Sequence, residues 1–113
     1  MKAEYFVTKV KGLVVEDATE EYRSLLTNTD IASTKDEYWR QVLTLYNGLN
    51  KEQQLVLLRM VREVSLDALS QVFGILDGSS YFDGSGVGFN LTNTDGEILN
   101  GDLQSTLLED EPE

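Results

Sequence analysis

Cysteine and histidine are both absent from the 113 residues, and no lysine or arginine follows Arg62. Without thiols the chain has no disulfide, thiol nucleophile or Fe–S cluster, and nearly every structural zinc site is excluded. Without imidazole it lacks the usual base near neutral pH and any conventional Ser–His–Asp or Cys–His arrangement. No run approaches the roughly 18 apolar residues of an ordinary membrane-spanning helix. Glu4, Lys9 and Lys11 interrupt the apolar character of the N-terminus, which reads poorly as a secretory signal, so a cytoplasmic protein is expected.

What is present is an uneven charge. Residues 1–62 hold nine acids and nine bases, whereas residues 63–113 hold eleven acids and no base, so the formal charge of −11 belongs to the C-terminal half. Such a field disfavours direct contact with nucleic acid or anionic lipid and speeds encounter with a basic protein. Hydrophobic residues make up 41% of the chain, enough for a core without staples, and the length suits one domain.

Phe6, Val10, Leu13/Val14, Ala18, Tyr22 and Leu25/Leu26 step by three and four, predicting one helix over 3–27. Gly12 and the β-branched pair Val14-Val15 mark 11–16 as the place for a break. A second helix is expected over 34–47, capped by Ser33 or by a Thr34/Glu37 box and carrying Tyr38, Trp39, Val42, Leu43, Leu45 and Tyr46. Asn50 and Gln53 form the box of a third helix over 51–76, whose segment Leu55–Leu58 is apolar nearly all round and calls for several neighbours. Arg59 and Glu63, four apart, suit a surface ion pair.

Residues 77–101 are glycine-rich. Val87, Phe89 and Leu91 alternate with polar residues, and Asn93–Gly96 reads as a turn, predicting an antiparallel hairpin over 86–100. A two-residue turn pairs Leu91 with Asn100, and a four-residue turn pairs Leu91 with Ile98. Either register puts Ile98 on the face of Phe89 and Leu91 and turns Leu99 away. Tyr81 and Phe82 suit a third short strand. Asp102 can cap a short helix over 102–108, with 109–113 an acidic, frayed tail. The expected class is α+β: a single domain over 1–108 with three main helices, a small hairpin and a short C-terminal helix.

No chemistry is spelled out. Asp77-Gly-Ser-Ser-Tyr-Phe-Asp83 fails as a calcium loop because Ser79, Tyr81 and Gly88 stand at positions that need oxygen ligands or the closing glutamate. Gly84-Ser-Gly86 lacks the lysine and flanking elements of a phosphate loop. Glu63 and Asp67, with Glu16, Asp17, Glu20 and Glu21, read as solvated helix faces. A di-iron site would need Glu-x-x-His.

The expectation is therefore a non-catalytic protein-interaction module with no cofactor or metal, binding a basic protein through Tyr81, Asp83, Asp95, Glu97 and Asp102. In size and charge the chain resembles small acidic bacterial proteins that protect against toxins, a resemblance of composition alone that carries over no residue role. Two other classes stay open: a carboxylate-based metal- or ligand-binding domain or small enzyme, and a homo-oligomer built on the apolar excess at Leu55–Leu58.

Overall fold

The computed structural model describes residues 1–79 and 88–112. Helix α1 (Ala3–Lys11) passes through a π-helical segment (Gly12–Asp17) into α2 (Ala18–Asn28) with right-handed helical dihedrals at both junctions. The expected single helix is there, and the anticipated break is a wide turn instead of a stop. A π turn inserts a residue into the helical repeat, so every later position is re-phased. Val15 and Thr19 are buried where α-helical spacing calls for Val14 and Ala18, and Leu13 and Val14 face outward. The Thr19 hydroxyl, buried by this shift, donates to the Val15 carbonyl at 2.6 Å.

Asp30 then caps a 3-10 turn (Ile31–Ser33), accepting from the Ala32 N–H, while the Ser33 and Thr34 hydroxyls donate back to its carbonyl. Neither residue caps the next helix. Helix α3 (Glu37–Asn47) takes Asp36 as its cap instead. Helix α4 (Lys51–Asp77) begins with the Asn50/Gln53 box, both bonds 2.9 Å, and ends at Gly78 with φ of +85°, a left-handed position that glycine adopts without strain.

Two apolar clusters are strung along α4. One gathers Leu66, Leu69 and Phe73 with Val7, Val15, Leu103 and Leu107. The other sets Leu58 against Leu26, Leu43 and Tyr46. At ~1.5 Å per residue, α4 spans about 40 Å of a molecule whose principal extents are 50 × 31 × 29 Å.

The α+β expectation is overturned: the regular elements among the described residues are all helical, with no strand among them. The part of the expected hairpin within the described residues makes one isolated antiparallel bridge, Thr92 to Ile98. Leu99 N–H donates to the Leu91 carbonyl and Asn93 N–H to that of Glu97, a register midway between the two expected. A one-residue slip exchanges the faces of an extended segment, so Leu99 is the buried residue, 5% exposed, and Ile98 stands out at 65%. Side chains replace a ladder here. Asn100 accepts from the Leu91 N–H and donates to the carbonyls of Phe89 and Leu76, satisfying groups a partner strand would otherwise take. The proposed strand at Tyr81 and Phe82 lies outside the described residues.

Helix α5 (Leu103–Leu108) is seated on α4 by polar contacts as well as by Leu103 and Leu107. The Asp77 carboxylate accepts from the N–H groups of Gly101, Leu103 and Gln104 at 2.7, 3.1 and 2.8 Å. It does the capping expected of Asp102, whose side chain makes no cap bond. Gln104 donates to the Ser70 carbonyl and hydroxyl, lying so close over Gly74 that a Cβ there would meet its amide at 3.0 Å.

Charged hydrogen bonds to backbone are worth about 1.5–3 kcal/mol. Asp77→Ala is therefore expected to lower unfolding stability by about 2 kcal/mol. Asp102→Ala should cost under about 0.5 kcal/mol, as an exposed site without partners. Urea midpoints of the two variants decide it, and equal losses would refute the assignment of the cap.

Candidate interaction surface

Of the residues expected to form a partner surface, Tyr81 and Asp83 lie outside the described residues. Asp95 is exposed at the tip of the turn, its N–H donating to the Asn93 side chain. Glu97 is committed elsewhere. It accepts from the Met1 ammonium at 2.8 and 2.9 Å and from the Asn93 amide at 3.0 Å. Those two partners, the ammonium foremost, hold its carboxyl below the usual range. Asp102 is exposed at the start of α5. Asp95, Glu97 and Asp102 thus belong to the end of the molecule where α5 meets the C-terminus of α4.

Part of the acidic half is paired with bases of the neutral N-terminal half. Glu111, expected in a frayed tail, accepts from Lys11 Nζ at 2.6 Å and from two guanidinium nitrogens of Arg62 at 2.9 and 3.1 Å. Arg62 reaches Glu16 at 2.6 Å as well, bridging the π-helical segment to the chain's last residues. The Glu111 carboxyl is pushed down to about 2, chiefly by the Arg62 hydrogen bonds and then by Lys11, and Arg62 is raised in turn by Glu111 and Glu16. The intrahelical pair expected between Arg59 and Glu63 does not form. Glu63 stands 3.8 Å from Arg62, and Arg59 has no ion-pair partner among the described residues. Asp95, Asp102, Glu109 and Asp110 are exposed and outside every ion pair among those residues, so uncompensated carboxylates stand at both ends of α5.

The second surface is apolar. Val56, Met60 and Val64, four apart on α4, are 68%, 56% and 61% exposed. A groove of about 640 Å³ runs beside the first two, lined by Leu49, Glu52, Gln53, Leu55 and Leu57. A second of about 290 Å³ continues past Met60 to Val61, Val64, Ser65 and Tyr22. Met60 is common to both, so the apolar surface is contiguous over more than two turns of α4. The all-round apolar character of Leu55–Leu58 signalled it in the sequence: Leu58 is buried, and Leu55 and Val56 are left uncovered. Trp39 is half-buried against the second cluster, with Tyr22 and Tyr38 rings at 6.2 and 6.1 Å, and Tyr38 is itself exposed.

Among the described residues no group of three or more carboxylates gathers as a metal site, and no helix is long and apolar enough to cross a membrane. Comparison with protein families, curated proteins and solved structures returned no match to this chain.

The Glu111 contacts make a pH prediction. A carboxyl held at about 2 when folded and near 4.5 when free adds stability above pH 4.5. That stability is lost as pH falls through 4.5 toward 2, because protonation breaks the pairs. Glu111→Gln should remove about 1 kcal/mol at pH 7 after solvent screening, and almost nothing at pH 2. Thermal unfolding at both pH values checks it. An equal deficit at both would show that packing, not charge, holds the segment.

Proposed function

We propose that the chain is a non-catalytic protein-interaction module whose acidic end receives a basic protein, in the manner of an inhibitor or immunity-type partner. The observation that carries this reading is that Asp95 and Asp102 are exposed and unpaired where α5 meets the C-terminus of α4, with Glu109 and Asp110 exposed and unpaired past the other end of α5. A one-sign surface raises the encounter rate with an oppositely charged protein and fixes its approach. Within the proposal, Tyr81 and Asp83, outside the described residues, also contact the bound protein, and Glu97 exchanges its ammonium partner for a cation of that protein.

The seating of α5 suits such a role. Asp77, Asn100 and Gln104 hold the backbone beneath the acidic side chains by hydrogen bonds, so those side chains stand on an ordered support. A homo-oligomeric subunit is the second reading, favoured by the uncovered face of α4.

The double variant Asp95→Lys/Asp102→Lys changes two exposed positions and should fold as the wild type does. Both proteins, immobilised, are exposed to lysate of the source organism at low salt and washed with rising NaCl. One basic protein should be held by the wild type, released as salt rises and lost by the variant. Equal capture by both proteins would exclude this end as the binding surface.

A further inference from the structure

We propose that the chain forms a two-fold dimer in which the Val56–Met60–Val64 face of α4 packs against the same face of a second copy. The dimer is separate from the acidic-end reading and stands or falls without it.

Three observations carry it. The face is a continuous i, i+4 ridge bordered by two grooves that share Met60, the relief that interlocking helices need. Two such ridges cross at about −50° in the commonest class of helix packing. With the two-fold axis at Met60, an antiparallel pair sets Met60 on its own copy and Val56 on Val64 of the second copy. A closed, self-complementary contact results.

Its area also fits. A fully buried aliphatic side chain removes roughly 60–120 Å² of apolar surface from water. Val56, Met60, Val64 and Leu55, each more than half exposed, with Tyr22 and the groove walls Leu49 and Leu57, therefore present several hundred Å² of apolar surface. A standard interface buries ~800 Å² per partner, somewhat over half of it apolar. The patch approaches that apolar share, as a dimer of modest affinity requires.

Charge selects the occupant. Residues 37–64 carry Arg40, Lys51, Arg59 and Arg62 against Glu37, Glu52 and Glu63, a near-balanced set. A basic protein gains no steering at this face. A second copy, with its own charge of −11, meets less repulsion there than at the acidic end, because Asp95 and Asp102 lie toward the far end of α4 and Glu111, the acid held on Arg62, is paired with Arg62 and Lys11. Arg59, without an ion-pair partner in the described chain, stands beside the ridge within reach of Glu63 of the second copy.

Sedimentation of the purified protein from about 1 to about 300 µM reads the equilibrium directly. The expected mass rises from one chain toward two, and the dimer tightens as salt screens the distant acidic ends. Binding of a basic protein would instead weaken with salt. Met60→Glu and Met60→Lys, opposite in charge at an exposed site, should each raise the dissociation constant at least about tenfold without altering the helical circular dichroism. The chain has no cysteine, so Met60→Cys with a short bismaleimide should yield a covalent dimer and Ser105→Cys should not. A single-chain mass throughout would overturn the proposal. So would a dimer indifferent to both Met60 charges, or one cross-linked through position 105 alone.

Discussion

Helix α4 is longer than the rest of the chain can cover, and the architecture follows from that disproportion. Both apolar clusters take residues from it, Leu66, Leu69 and Phe73 at one end and Leu58 toward the other, and neither cluster exists without it. The helix from Ala3 to Asn28 lies along one side and α3 packs at one end, with Leu26, Leu43 and Tyr46 burying Leu58 and partly covering Leu57. A segment apolar nearly all round, as Leu55–Leu58 is, needs cover on every side to bury its surface. The short chain supplies cover for part of it, and the outward ridge at Met60 is the remainder.

The opposite end meets the same shortage with polar contacts. A helix of six residues is marginal in water on its own, yet α5 has Leu103 and Leu107 fully buried. Asp77 satisfies N–H groups at its start, Gln104 ties its first turn to Ser70, and Asn100 occupies backbone groups of the segment before it. No side-chain N or O atom is left buried and unpartnered among the described residues. The polar joint therefore fixes α5 and segment 88–100 on α4 without the unpaired groups that would make burial unfavourable.

What the sequence makes legible is what short-range physics decides. The Asn50/Gln53 box and the steady helical spacing place α4 within a residue of its observed ends, because caps and periodicity are local. The first helix is legible in extent and not in phase. Spacing rules assume an α-helical repeat, and one π turn moves the inward position from Val14 to Val15. The hairpin fails for a tertiary reason: alternation shows that a segment can be extended, whereas Asn100, Leu76 and Phe89 decide what satisfies its backbone. Asp77 reads as a turn aspartate, since its partners lie some 24 to 27 residues on. Glu111 reads as frayed because Lys11 and Arg62 are distant in sequence, by 100 and 49 residues. Of the candidate surface, the acidic content is countable in the sequence, but which acids remain unpaired is not.

Charge and apolar surface then have to be considered together. An uncovered apolar ridge invites indiscriminate association, and a large net charge opposes it by keeping copies apart. A charge spread evenly would also oppose a specific contact. Here the imbalance of −11 lies beyond Arg62, while the ridge lies before Ser65 among residues of both signs. In the dimer proposed above, approach through Asp95 and Asp102 would be penalised more than approach ridge to ridge. Salt would therefore act in opposite directions on the two proposed contacts, loosening one made by the carboxylates and easing one made by Met60 and its neighbours. On the proposed reading, the segregation of charge along the chain thus does more than lower its isoelectric point: it biases which face of an elongated molecule would meet its like.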